Sequence, residues 1–183
     1  MEKDKQSHKK IFLEAIDFYK KKDFKAAEVI CYKILSIDKN HFDSISLLSN
    51  IFGVNADYTK AKEFLNKAIK IQPNNTSILN NLGTASKEMG ELNEAISFYK
   101  KVLEIDSNNV NANFNLGLIF YNSNELAKAK NLLEKVIQIQ PNYAMAHFNL
   151  GNLQKEFKQL KEAKISYLKA IELKSNFGNA YNN

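Results

Sequence analysis

Asn81-Leu82-Gly83, Asn115-Leu116-Gly117 and Asn149-Leu150-Gly151 are one tripeptide returning every 34 residues. Counting its Leu-Gly as positions 7 and 8 divides the chain into units 8–41, 42–75, 76–109, 110–143 and 144–177, with no insertion or deletion. Other columns keep the same register. Position 20 is Ala27, Ala61, Ala95, Ala129 and Ala163; position 8 is Ala15, Ser49, Gly83, Gly117 and Gly151. Position 17 is Phe24, Tyr58, Leu92, Leu126 and Leu160, and position 28 is Leu35, Ile69, Leu103, Ile137 and Ile171.

These columns have physical causes. Apolar residues at positions 4, 7, 8 and 11 lie on one stripe of a helix, and positions 17, 20, 24, 27 and 28 make a second stripe. The small residues at 8 and 20 allow two helices to approach closely. Pro73 and Pro141, at position 32, cannot continue a helix and end the second one. Asn40, Asn74, Asn108, Asn142 and Asn176 occupy position 33, where a left-handed residue or a cap for the next helix is expected. Each unit therefore reads as a helix over about positions 2–14, a short turn, and a helix over about 18–31.

This pattern resembles the tetratricopeptide repeat family. Unit 76–109 carries the resemblance through Leu79, Leu82, Gly83, Ala95 and Tyr99; unit 110–143 through Leu116, Gly117, Phe120, Ala129 and Pro141; and unit 144–177 through Leu150, Gly151, Ala163, Tyr167 and Ala170. Glu14 in an apolar column, and Ile34, Val102 and Val136 where the family prefers alanine, depart from it. The first unit reads as a degenerate or capping repeat. The resemblance implies an all-α, right-handed superhelical solenoid of antiparallel helix pairs. Residues 1–7 fall outside the units as an N-terminal tail. Residues 178–183 restart the pattern with Tyr181 in column 4 and Asn183 in column 6, so a sixth repeat begins and a longer repeat protein is expected.

Composition narrows the function classes. Hydrophobic residues make up 44% and charged residues 25% of 183, with no apolar run long enough to span a bilayer. The start, Met1-Glu2-Lys3-Asp4-Lys5, lacks the apolar core of a secretory signal, and a lone Cys31 allows no intrachain disulfide; a cytoplasmic protein is expected. The net charge of +6 comes entirely from lysine; arginine, whose planar fork reads phosphates and guanine edges, is absent, so no nucleic-acid partner is expected, and with no apolar span no membrane partner is expected either. His8, His41 and His147 fall in columns 1, 34 and 4 and cannot converge on a metal; Cys31 sits in core column 24. No catalytic, metal or cofactor site is read, and the chain is not expected to be an enzyme by itself.

In the tetratricopeptide family, ligands lie in a concave groove lined by the first helices. Position 6 there reads Leu13, Leu47, Asn81, Asn115, Asn149, Asn183, an asparagine ladder from the third unit onward. Asparagine is a poor helix former, yet its amide offers a donor and an acceptor that match the N–H and C=O of an extended peptide. The ladder resembles the one in the repeat arm of O-linked N-acetylglucosamine transferases. Asn50 and Asn152 at position 9, Asn111 at position 2 and Asn122 at position 13 are expected on the same face, flanked by Tyr121 and Lys155, while Phe114 and Phe148 pack between units. Position 2 holds Ser77, Asn111 and Met145 rather than the lysine of a chaperone carboxylate clamp. The expected function is a protein- or peptide-binding scaffold holding an extended partner. The alternative is a substrate-recruiting arm of a larger glycosyltransferase or sulfotransferase, and self-association through an uncapped last helix is a further expectation.

Overall fold

A computed structural model describes residues 2–174, with side chains from residue 10 onward. Asn183 and the other residues read as the start of a sixth repeat lie outside the described residues. Those described form ten helices and no strand: α1 (Glu2–Lys20), α2 (Phe24–Ile37), α3 (Phe42–Val54), α4 (Tyr58–Ile71), α5 (Thr76–Glu88), α6 (Leu92–Ile105), α7 (Val110–Asn122), α8 (Leu126–Ile139), α9 (Ala144–Glu156) and α10 (Leu160–Leu173). Helices α3, α5, α7 and α9 occupy positions 1–13 and the second helices positions 17–30, one residue earlier than their sequence reading. Residues 2–7, set apart as a tail in the sequence, are helical and continuous with α1.

The left-handed residue stands elsewhere than the sequence suggests. It is not the asparagine of position 33 but position 15, in the turn inside each pair: Lys22 (φ 63°), Ala56 (57°), Gly90 (80°), Asn124 (59°) and Lys158 (58°). There the next N–H reaches back to the carbonyl five residues earlier, as in Asp23 N to Phe18 O and Glu125 N to Phe120 O (2.9 and 2.8 Å). This six-to-one bond closes the first helix and needs a left-handed residue inside it. Between pairs the chain instead leaves through negative-φ C-caps such as Asp38 (φ −121°) and Gln72 (φ −130°), so no left-handed residue is required. The following helix is capped from position 34: His41 Nδ1, Asn75 Oδ1 and Asn109 Oδ1 accept backbone N–H groups at 3.1–3.2 Å.

Packing density divides the chain into residues 1–95 and 96–183, a division that falls inside α6. In the first unit, α1 pairs with α2 and α3 with α4; α2 lies on α3, α4 on α5, and α1 touches α3. Short turns between helices that pack along one another make the pairs antiparallel. The unit's core is Ala15, Ala27, Cys31, Ile34, Ile45, Leu48, Ile51, Leu65 and Ala68. In the second unit, α7 pairs with α8 and α9 with α10, α8 lies on α9, and α7 touches α9. Its core includes Ala112, Leu116, Ala129, Leu133, Val136, Leu153 and Ala170. Every alanine of position 20 is buried.

Column 4, read as apolar, is polar in the second unit for a definable reason. Asn113 is 1% exposed and donates from Nδ2 to the carbonyls of Ser107 (3.1 Å) and Asn109 (2.8 Å). His147 bonds the Pro141 carbonyl through Nε2 at 2.8 Å. Both side chains tie the inter-pair turn to the next first helix, which satisfies carbonyls that the chain reversal would leave open.

Candidate functional site: the first-helix faces

In the first unit, α1, α3 and α5 present their outward faces around a pocket of about 270 Å³. Ala61 and Leu65 of α4 contribute buried surface; Tyr19, Val54 and Tyr58 wall it; Asn50 and Asn81 stand at its polar side. Nδ2 of Asn81 donates to Oδ1 of Asn50 at 3.1 Å, joining position 6 of one first helix to position 9 of the one before. That bond leaves Oδ1 of Asn81 and Nδ2 of Asn50 outside the pair, an acceptor and a donor on adjacent helices.

The second unit uses its asparagines differently. Asn115 Nδ2 donates to the Asn111 carbonyl (3.0 Å) and Asn149 Nδ2 to the Met145 carbonyl (2.7 Å), each one turn back on its own helix. Asn152 is held by the Tyr167 hydroxyl, which donates to its Oδ1 at 2.9 Å. Asn111 and Asn122 are exposed, Asn122 as the last residue of α7. The structure thus joins Asn50 to Asn81 by their side chains and Asn115 to the backbone of Asn111. Phe114 is buried edge-on against Tyr143 (5.0 Å between centroids), and Phe148 lies 5.9 Å from Tyr167.

Other reactive groups have structural occupations. Burial pushes the Cys31 thiol up to about 12, so it stays protonated and unreactive at neutral pH. Lys62 forms ion pairs with Glu91 and Glu94, which hold its ammonium above the usual lysine range despite partial burial; the same contact holds the Glu94 carboxyl below the carboxylate range. With Ser86 of α5 donating to Glu94 at 3.3 Å, this cluster fastens α4 to α5, the turn after it and the first turn of α6. Among the described residues, no group of three His, Cys, Asp or Glu could hold a metal, and no helix is long and apolar enough to cross a membrane.

The family described as "Tetratricopeptide repeat" matches residues 43–75, 64–97 and 144–177, and "TPR repeat" matches 85–124 and 117–156. The chain belongs to the tetratricopeptide repeat (TPR) family. No curated protein matches the sequence. Solved structures share the TPR solenoid fold at low identity. A crystal structure of MamA is 23% identical, covers 90% of this chain and 96% of its own, and superposes with a TM-score of 0.78. YrrB, described as a TPR protein with an unusual peptide-binding site, is 21% identical over 94% of this chain and 89% of its own, with a TM-score of 0.75. PilF of Pseudomonas aeruginosa is 19% identical over 96% and 80%, with a TM-score of 0.85.

The TPR register explains which site residues escaped the sequence reading. Tyr19, Gly53 and Val54 are at positions 12 and 13, Tyr58 at 17 and Thr84 at 9, and asparagine recurrence points to none of them. One signal was present: position 12 reads Tyr19, Gly53, Lys87, Tyr121, Lys155, and a single glycine among large side chains marks missing volume.

Proposed function

We propose that this TPR chain is a protein-binding scaffold that holds an extended segment of a partner in the groove along its first helices. The observation that supports this most is the Asn81–Asn50 amide pair, which presents a donor and an acceptor from neighbouring helices beside an apolar pocket. A peptide unit of an extended chain offers the complementary pair without regard to its side chain. YrrB, a TPR protein of the same fold, carries a peptide-binding site by its description, which agrees with this use of the fold. The helices are ordered before binding, so little ordering entropy opposes association. In the second unit, Asn115 and Asn149 retain peptide contact as their proposed role, with amides oriented by the bonds to their own helix. Asn111, Asn122 and Asn152 extend that face, and Asn183 continues the column. Chemistry at this face is recognition by hydrogen bonds and apolar contact; no catalytic step is assigned to it.

The test is selection of displayed, unstructured peptides on the intact chain, followed by affinity measurement on two double variants, Asn50→Ala with Asn81→Ala, and Asn115→Ala with Asn149→Ala. Loss of one amide hydrogen bond to the peptide costs about 1 kcal/mol, so each pair is expected to weaken binding on the order of tenfold or more. Helical circular dichroism should not change. Unchanged affinity in both double variants overturns the asparagine groove.

A further inference from the structure

We propose that the notch at Gly53 is a side-chain pocket that admits one apolar side chain, of leucine or methionine size, from the segment bound on this face. This rests on the groove reading for its occupant and deepens it by naming what the groove selects.

Three observations converge on the notch. The first is Gly53 itself. It lies in α3, where glycine weakens the helix, and a Cβ built there meets nothing within 4 Å. Neighbouring atoms therefore do not require a glycine. Tyrosine or lysine fills the same position in the other four repeats, and here the volume is left open. The second is the lining. Val54, Tyr58, Ala61, Leu65 and Tyr19 supply apolar surface, and no charged residue lines the pocket. A lysine or glutamate side chain entering it would lose hydration without gaining a counter-charge, so the pocket rejects charged residues. The third is size and setting. About 270 Å³ lies below the roughly 300–1,000 Å³ of pockets that enclose whole small molecules, and suits a single side chain. The Asn50–Asn81 pair on its polar side places peptide-matching groups next to it.

The arrangement explains how a groove that grips backbone alone acquires a register. Amide contacts tolerate sliding by one residue pair, whereas one apolar anchor in one notch does not.

The probe is N-acetyl-leucine N-methylamide, which carries one apolar side chain between two peptide groups, titrated into the intact 15N-labelled chain. Saturable shifts are expected at the backbone amides of Gly53, Ala61 and Asn81. The alanine analogue should bind about tenfold more weakly or less still, because most of the buried apolar area is gone. Gly53→Tyr, which places in α3 the residue that α1 and α7 carry, should abolish the shifts while keeping the helical spectrum. Equal response to the leucine and alanine probes, or an undiminished response in Gly53→Tyr, overturns the pocket. Should Gly53→Tyr fail to fold, the leucine–alanine difference on the unaltered chain decides alone. Failure of the groove reading looks different: leucine-probe binding with displayed-peptide affinity unaffected by Asn50→Ala and Asn81→Ala keeps the pocket and removes the asparagine grip. Peptide capture lost in those variants, with no leucine-probe binding, keeps the grip and removes the pocket.

Discussion

Residues 2–95 and residues 96–174 are written in the same repeat, yet they spend their polar and small residues differently. In the first unit α2, α3, α4 and α5 each begin on a side-chain cap, from Asp23, His41, Asp57 and Asn75. In the second unit Asn109 caps α7, but Glu125, Tyr143 and Gln159 leave α8, α9 and α10 without a side-chain cap bond. The first unit links position 6 to the neighbouring helix through Asn81 and Asn50; in the second, Asn149 donates to its own backbone one turn back. Gly53 of the first unit faces open space, whereas a Cβ on Gly151 of the second would stand 2.6 Å from the Tyr167 ring. A repeat register therefore specifies which helices pack. It does not specify what each copy of a position does, because the partner atoms differ from copy to copy.

The largest test of this contrast is Gly151→Ala. The new methyl group collides with a buried aromatic ring that cannot retreat cheaply, and a loss of about 1–3 kcal/mol in denaturant unfolding is expected. Adding Tyr167→Leu should recover part of the loss. Leu133 holds the corresponding position beside Gly117, where a Cβ meets it at an ordinary 3.5 Å. Full destabilisation persisting in the double variant would show that crowding by Tyr167 is not why Gly151 is a glycine. Next in size is the cap difference. Gln159→Asp should give α10 the cap that α2 and α4 already have, raising stability by about 1 kcal/mol. No gain in melting temperature would mean that the α10 N-terminus is satisfied in another way. The smallest effect is expected at Gly53→Ala. Open space and helical backbone make alanine the better residue there by about 0.5–1 kcal/mol. A measured loss would place an unrecognised packing demand on Gly53 and weaken the case for the notch.

Much of the fold was legible because it rests on periodic volume and polarity. The alanines of position 20 and the Leu-Gly of positions 7 and 8 fall on helix stripes whatever the surroundings, and they set the pairing of the helices. The turns were less legible. Asparagine at position 33 looked like the left-handed residue because asparagine tolerates that conformation, but the six-to-one bond that demands it forms at position 15, where lysine, alanine and glycine also stand. Demand for a conformation comes from hydrogen bonds closed around a residue, and only part of it leaves a trace in residue type. The site was legible in part. Column 6 directed attention to Asn81, Asn115 and Asn149, but the direction of each amide depends on whether a neighbouring helix or the residue's own carbonyl is nearer.

The sequence by itself determined the all-α repeat, its 34-residue period and the helix pairing, since each depends on residue type and spacing along one chain. The tertiary structure alone decided that Asn81 meets Asn50, that Tyr167 crowds Gly151 and that Gly53 opens a pocket. These depend on distances between helices that are remote in sequence, and a distance of a few ångströms across a helix seam separates a packing requirement from an empty space.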